Sequence, residues 1–203
     1  MYLPKHFNHP EHAAALMRAH PLACLVTTDD TGFPFIAHLP LKLVEEGGQP
    51  VQLLGHCARG NPLWGYLQQR PLALASFMGP QAYMSPSVYS DLQRVPTWSY
   101  LAVQARVEAR LLEGEVAKDA LLKQLIADHE PAYAAQWRAL PPDYTGRMLQ
   151  AIVAFELRIL EVQCAVKLNQ HRPEAHAAMH AAYAAGNAQE QALAGWMKTL
   201  GMV

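Results

Sequence analysis

The longest alternation of apolar and polar side chains runs from Leu101 to Leu112, where every second residue is apolar. A second run of comparable length extends from Val153 to about Lys167. Successive side chains of a strand point to opposite faces, so this alternation predicts two β-strands that each bury one face. Strands this long constrain the chain to a sheet-based core and argue against a helical bundle.

Four shorter segments upstream also have strand character, and turn residues separate them. They are residues 22–28, 33–43, 50–55 and 72–78. The first two flank a turn at Asp29 to Gly32 and predict a β-hairpin. Six or more strands without βαβ alternation favour a mainly β, α+β fold, namely an antiparallel barrel with helices packed outside.

Capping and breaking residues predict five helices, over residues 8–20, 63–69, 115–128, 171–185 and 188–200. Asn8 is the expected N-cap of the first helix, and Val116 and Ala120 are expected on the buried face of the third. The length suits a single domain spanning residues 1–203. In this organisation a barrel with inserted helices covers about residues 1–168, and a C-terminal helical pair covers about residues 169–203.

A proline-rich stretch from Gly79 to Tyr100 precedes the long strand. Its prolines fix φ and remove backbone donors, so we expect an ordered loop rather than a helix or a central strand. The stretch also holds four aromatic residues, Tyr83, Tyr89, Trp98 and Tyr100. Loops of this length in compact domains are usually functional, so the aromatics suit one wall of a site for a flat ligand with polar edges. The alternative is that they cap the end of a barrel.

The segment Arg59-Gly60-Asn61-Pro62 has the composition of an anion site. Asn61 followed by Pro62 is a typical helix start, and a guanidinium beside free helix N–H groups suits a phosphate or carboxylate. The alternative is a surface turn with a solvated arginine.

The charge balance excludes a strong general attraction to nucleic acid or anionic membrane. The chain has 16 Lys and Arg against 17 Asp and Glu, a formal net charge of −1. Its three cysteines are not in zinc-binding spacings and are expected to be reduced thiols. No export signal or apolar run of membrane-spanning length is recognisable, so we expect a cytoplasmic protein.

His176 and His180 lie four residues apart on a predicted helix, with Glu174 nearby. This spacing is compatible with a metal or haem ligand pair. Two solvated histidines on an alanine-rich helix are the simpler interpretation, because no third ligand stands at a matching spacing.

Six segments, in order, resemble the PaiB-type FMN-binding negative transcriptional regulators, a family of FMN-binding split-barrel proteins. They are residues 1–7 (MYLPKHF), 38–41 (HLPL), 56–62 (HCARGNP), 79–89, 95–100 (VPTWSY) and 167–172 (KLNQHR). The resemblance implies a homodimeric split barrel with FMN at the subunit interface. Five residues differ from those usual in the family, and these differences bear on whether the protein binds flavin. They are Gln81, Val88, Ser99, Asn169 and His171.

The resemblance also implies a set of cofactor-binding residues. These are His38, Leu39, Arg59, Asn61, Ser85, Pro86, Thr97, Trp98, Tyr100, Lys167 and Gln170. Trp98, Tyr100 and the strand around His38 are expected to bound the flavin ring. The candidates for the phosphate and the polar edge are Arg59, Thr97 and the pair of Lys167 and Arg172. Arg59 is the favoured phosphate anchor, and Lys167 is the second choice.

The sequence leaves two functions open, a flavin-binding regulatory protein and a small FMN-dependent oxidoreductase without a DNA-binding role. No nicotinamide fingerprint or catalytic acid–base pair is recognisable, so no catalytic residue is assigned and a regulatory protein is favoured over an enzyme. No helix-turn-helix, zinc finger or basic run is recognisable either, so DNA as a partner rests on the resemblance alone.

Overall fold

Seven strands are hydrogen-bonded neighbours in one antiparallel sheet, in the order β2-β1-β5-β6-β7-β4-β3. Their bounds are β1 Leu22–Thr28, β2 Pro34–Pro40, β3 Lys42–Glu46, β4 Gln49–Ala58, β5 Leu72–Met84, β6 Thr97–Leu112 and β7 Ile152–Lys167. The structure, a computed structural model, describes residues 1–91 and 93–203, so Leu92 of the proline-rich stretch lies outside the described residues.

Seven α-helices are described between and after the strands. They are α1 Ala13–Ala19, α2 Leu63–Gln69, α3 Glu115–His129, α4 Tyr133–Ala139, α5 Pro142–Gln150, α6 His176–Ala184 and α7 Ala188–Thr199. Short 3₁₀ turns occupy Lys5–Phe7, Pro10–His12, Pro86–Val88 and Pro173–Ala175. Among the described helices, none combines the length and apolar character that crossing a bilayer requires.

The chain divides into two compact units. The first comprises Met1–His20, Phe77–Gln104 and Gln163–Val203, and the second comprises Pro21–Ser76 and Ala105–Val162. Strands β5, β6 and β7 each contribute residues to both units.

The second unit is built on two strand pairings. The β1–β2 hairpin aligns Cys24 with His38, and β4 pairs with β7 so that Leu54 lies opposite Glu156. Gly55 of β4 allows a close approach of side chains, because a Cβ there would lie 2.5 Å from Leu41 Cδ2. Helix α3 packs Leu121 against Leu54 in a small apolar cluster.

The first unit packs helices against strand ends. Leu16 and Met17 of α1 are buried, and the segment before α1 is tied to β7 by the Asn8–Ala165 bridge. At the C-terminus, Asn187 and Glu190 form a reciprocal capping box at the start of α7. The Tyr183 hydroxyl of α6 donates to Ser99 Oγ at 2.9 Å inside the unit.

Most of the strand predictions are confirmed. Strand β1 has the predicted bounds, and the long β6 and β7 alternate between buried and exposed positions as expected. Helices α2, α3 and α7 also form within one residue of their predicted bounds, whereas α6 begins at His176 rather than His171, after the 3₁₀ turn Pro173–Ala175. The mainly β, α+β fold class is therefore confirmed.

Strand β5 corrects the predicted loop, because it continues to Met84 and includes Pro80. Its pairing with β1 ends at the Cys24–Ser76 position, so Pro80 removes no hydrogen bond to that neighbour. The return strand of the hairpin is also shorter than predicted. It is interrupted at Leu41, whose N–H donates to the carbonyl of Pro21 rather than continuing the ladder.

Three helix predictions are wrong. Asn8 is extended and pairs with Ala165 instead of capping a helix. Val116 and Ala120 are exposed, because the buried face of α3 runs through Lys118 and Leu121. A lysine interrupts the apolar pattern, which concealed this face.

Helices α4 and α5 were not predicted. Pro142 occupies the first turn of α5, a position that tolerates proline, although proline pairs usually indicate a break.

Candidate functional site

A cleft of about 450 Å³ lies within the first unit, where β6 begins and β7 ends. Its lining residues are His6, Phe7, Met84, Tyr89, Gln93, Arg94, Val95, Thr97, Trp98, Ser99, Lys167, Asn169, His171 and Arg172. We call it the Lys167 cleft. Its volume falls in the range of about 300–1,000 Å³ typical of sites for small molecules and cofactors.

Lys167 is the last residue of β7 and faces Thr97, the first residue of β6. Its Nζ donates to Thr97 Oγ1 at 2.9 Å and lies 5.7 Å from the centre of the Tyr100 ring. Within the described part of the chain, Lys167 makes no ion pair with a carboxylate. The ammonium is therefore held in place by a hydroxyl and a ring face, with its charge uncompensated.

Two arginines add further positive charge to the cleft. Arg94 pairs with Asp91 at 2.8 Å and stacks over Tyr89, with Cζ 5.1 Å from the ring centre. Its Nε is buried and has no hydrogen-bond partner among the described residues. Arg172 is more loosely paired, 3.9 Å from Glu174. The buried Nε of Arg94 is a donor without a partner among the described residues, and such a donor is costly unless a ligand or water accepts from it.

Trp98 forms an aromatic wall of the cleft and is about half exposed. Its indole Nε1 donates to Gln81 Oε1 at 3.0 Å, and Tyr83 meets its ring edge-on at 6.3 Å. Gln81 therefore orients Trp98, although this position departs from the family pattern. Trp98 also borders a second opening of about 650 Å³ that Gln189 and Glu190 of α7 line.

The turn after β7 depends on Asn169. Asn169 has a φ of 64°, in the left-handed region that asparagine tolerates better than most residues. Its Nδ2 donates to the Tyr89 hydroxyl at 2.9 Å, and its carbonyl accepts from the N–H of Arg172 at 3.0 Å. This departure from the family pattern connects the proline-rich stretch to the turn that carries Arg172.

His171 and His6 stand at one side of the cleft with their ring centres 5.3 Å apart. Burial lowers the pKa of His171, and the neighbouring His6 and Arg172 lower it further. His171 is therefore biased towards its neutral form, which leaves the lysine and the arginines as the cations that meet an anion here.

The structure brings together Thr97, Trp98 and Lys167 of the predicted set, with Tyr100 against the ammonium. Ser85 and Pro86 form the 3₁₀ turn after β5, where Ser85 Oγ accepts from the N–H of Ser87. The Gln170 side chain is occupied locally, between the carbonyl of Val166 and the N–H of Leu168.

The other four predicted residues belong to the second unit. His38 is exposed on β2 and Leu39 is partly buried beside it. Asn61 lies one residue before the N-cap of α2, which is Pro62 rather than Asn61 as predicted, and its Oδ1 accepts from the N–H of Leu63 at 3.0 Å.

The Arg59 guanidinium donates to two backbone carbonyls that are far from it in the sequence. Its Nε donates to the carbonyl of Gln150 at 2.7 Å, and its Nη2 donates to the carbonyl of Ile152 at 3.3 Å.

Arg94 and Asn169 are two cleft residues that the sequence analysis did not propose for cofactor binding, and Tyr89 was proposed only as part of an aromatic wall. Tyr89 and Arg94 belong to the aromatic, proline-rich stretch, which was the available signal. His176 is not solvated as expected, because it is buried and its Nε2 contacts the carbonyl of Asn169 at 3.1 Å.

The seven-stranded antiparallel sheet has the fold of the flavin-binding split-barrel proteins. Residues 1–161 match the family model described as "Putative FMN-binding domain". The chain belongs to this family. It is an FMN-binding split-barrel protein, and FMN is its cofactor.

The chain is similar to proteins of known sequence and structure. It is 33% identical over 177 residues to "Protease synthase and sporulation protein PAI 2" of Bacillus subtilis (strain 168), covering 86% of this chain and 84% of that protein. The resemblance to PaiB-type proteins is thereby confirmed.

Two solved structures share the fold. The flavocytochrome Anf3 from Azotobacter vinelandii has a TM-score of 0.63 at 17% identity, covering 82% of this chain and 73% of that one. The FAD and heme binding protein from Mycobacterium smegmatis has a TM-score of 0.60 at 19% identity, covering 78% of this chain and 71% of that one.

The donor set of the Lys167 cleft fits FMN. A phosphate needs cations and donors, and Lys167, Thr97 and the buried Nε of Arg94 provide them. A flavin ring needs a flat apolar contact and polar groups at its edge, which Trp98 and Asn169 can provide. When bound, FMN supplies hydride and electron transfer, and the protein supplies binding, orientation and electrostatics.

Proposed function

We propose that the protein is a homodimeric flavin-binding regulatory protein that holds the FMN phosphate in the Lys167 cleft, with Lys167 as the anchor. The observation that carries this proposal is the ammonium of Lys167, which is fixed by Thr97 and lacks a carboxylate partner among the described residues. A phosphate ester with nearly two negative charges compensates such a cation directly.

The partners of the two side chains favour Lys167 over Arg59 as the phosphate anchor. The Arg59 guanidinium already donates from Nε and Nη2 to backbone carbonyls. A bidentate phosphate contact through Nε and Nη2 would have to replace those bonds, and each hydrogen bond to a charged group is worth about 1.5–3 kcal/mol. Lys167 can bind a phosphate without breaking an ion pair.

The test is a pair of titrations, of FMN and of riboflavin, which lacks the phosphate. Lys167→Gln removes the charge and keeps a polar side chain that is only one atom shorter. We expect FMN affinity to fall at least about tenfold, roughly 1.4 kcal/mol, and riboflavin affinity to change far less. Lys198→Gln, on the exposed surface of α7, is the matched control and should leave both affinities unchanged. Equal losses for the two ligands, or an unchanged FMN affinity in Lys167→Gln, would refute the anchor.

The homodimer is supported by exposed apolar side chains of the second unit. Leu22, Phe33, Ile36 and Leu72 are each more than half exposed. Exposed apolar surface of this kind marks interaction sites. Trp196 and Leu200 of the C-terminal helical pair are partly buried within the first unit. Light scattering at low micromolar concentration should give the mass of two chains, and a monomer at that concentration would contradict the proposal.

The regulatory role does not require the protein itself to bind DNA tightly. With a net charge of −1, a DNA complex gains little from counterion release. We therefore expect no sequence-selective gel shift at nanomolar protein in physiological salt. Such a shift would show that a local surface binds DNA despite the overall charge.

A further inference from the structure

We propose that His9, Glu11 and His12 form a binding site for a divalent transition-metal ion of the zinc, nickel and copper group. One nitrogen of each imidazole and one carboxylate oxygen lie within 4.8 Å of one another. These residues do not line the Lys167 cleft, and the flavin-binding function does not use them.

The distances suit a shared metal ion. Glu11 Oε1 lies 3.0 Å from His9 Nδ1 and 4.0 Å from His12 Nε2. A tetrahedral ion bound at about 2.0–2.2 Å holds its ligand atoms roughly 3.3–3.6 Å apart. The observed distances bracket this spacing, so small side-chain rotations bring all three atoms into coordination.

The backbone fixes the three ligands in advance. The N–H of His9 donates to the carbonyl of Cys164 on β7 at 2.9 Å, and the N–H of His12 donates to the carbonyl of His9 at 3.0 Å. Pro10 rigidifies the 3₁₀ turn between them. The entropy cost of assembling the ligands is therefore largely met by folding of the first unit.

The ring environments select the ligating nitrogens. His9 Nδ1 faces Glu11, whereas its Nε2 is buried and has no partner in the described part of the chain. The His12 ring is held edge-on against Trp196, with 5.3 Å between the ring centres. Glu11 is exposed, which leaves room for water to complete the coordination.

Two imidazoles and one carboxylate favour a borderline transition metal over calcium or magnesium, which prefer oxygen ligands. Three protein ligands with an open position correspond to the arrangement of accessible zinc sites rather than closed structural ones. The ligand class is therefore Zn²⁺, Ni²⁺ or Cu²⁺, bound at one ion per chain.

Isothermal titration of the chelator-treated full-length protein with Zn²⁺ tests the site. We expect one ion per chain, and at least a tenfold loss of affinity in His12→Gln and in Glu11→Gln. His129→Gln, at the exposed end of α3, is the matched control and should bind as the wild type does. Thermal unfolding of the metal-free variants and their FMN content verify that the fold is retained.

The His12–Trp196 contact supplies a second readout, since bound Ni²⁺ quenches a nearby indole. We expect Ni²⁺ to quench the wild-type tryptophan emission. Trp196→Phe should lose most of the quenching and keep the Zn²⁺ affinity. Equal Zn²⁺ binding by the wild type and a folded His9→Gln/His12→Gln double variant would overturn the site, as would the absence of any Zn²⁺ binding to the wild type.

Discussion

Arg59 and Lys118 donate to the same carbonyl oxygen, that of Ile152, at 3.3 Å and 3.0 Å. Arg59 also donates to the carbonyl of Gln150, and Lys118 donates to that of Leu149. These carbonyls belong to the end of α5 and the first residue of β7. Cations that bond to the last carbonyls of a helix satisfy acceptors without helical partners and oppose the negative end of the helix dipole. The two side chains therefore fix the junction between α5 and β7.

Replacement of Lys118 by methionine should destabilise the protein. Lys118 is buried, and the substitution leaves the carbonyl of Leu149 without this donor. We expect a loss of about 1–3 kcal/mol in the free energy of unfolding, measured with urea. Lys123→Met removes an exposed lysine from the same helix and should cost less than about 0.5 kcal/mol. A similar loss in the two variants would show that the carbonyl bonds contribute little.

Arg59→Ala separates the two roles that can be assigned to this side chain. If its contacts with Gln150 and Ile152 are its main function, unfolding becomes easier by about 1–3 kcal/mol and the ratio of FMN to riboflavin affinity stays constant. We expect this outcome. A tenfold fall in FMN affinity without a matching fall for riboflavin would instead make Arg59 the phosphate ligand, as the sequence suggested.

His56 should make stability depend on pH. Burial lowers its pKa below the ordinary value near 6.5, and its Nδ1 has no partner among the described residues. Between the lowered folded pKa and about 6.5, the unfolded chain binds more protons, so stability falls as the pH falls through this window. His56 lines a small cleft beside α3, and the titratable side chains of His129 and Glu130 line the same cleft.

The check is urea unfolding at pH 7.5 and pH 5.5 in the wild type and in His56→Gln. The variant should lose less stability on acidification, because the groups common to both proteins cancel in the comparison. An equal loss would mean that His56 is protonated as easily in the folded chain as in the unfolded one.

Substitutions of Asn169 should rank by backbone conformation. Both Asn169→Ala and Asn169→Gly lose the bond to the Tyr89 hydroxyl, but alanine also has to adopt a φ of 64°. Left-handed backbone costs a non-glycine residue roughly 1–2 kcal/mol. Asn169→Ala should therefore be the less stable of the two by about 1 kcal/mol in thermal or urea unfolding. A glycine variant of equal or lower stability would contradict this ranking.

The strands were predictable because alternation is a property of the sequence itself. The long β6 and β7 show this most directly, and the Asn61-Pro62 pair and the Gly186-Asn187 break located the starts of α2 and α7. Pro80 misled the prediction, since its effect depends on which neighbour pairs with it. Lys118 concealed the buried face of α3, because a lysine is normally exposed.

The site was only partly predictable, because several of its contacts depend on how the chain folds and not on which residues it contains. Thr97, Trp98 and Lys167 were found through family motifs, although 70 residues separate Thr97 from Lys167. The bonds of Arg59 left no sequence signal, because its acceptors are backbone carbonyls, which every residue carries. The unmet Nε of Arg94 depends on how the proline-rich stretch folds over Tyr89, which composition does not determine.

The attachment of the N-terminal segment to β7 has a consequence during synthesis. The N-terminal amine contacts Gln163, Asn8 pairs with Ala165, and His9 donates to the carbonyl of Cys164. This segment is therefore translated long before its partners on β7 and waits for them. At about 5–20 residues per second, that wait lasts roughly 8–30 s. Contacts between such distant residues also slow folding, so the first unit should reach its native structure only after translation of β7 is complete.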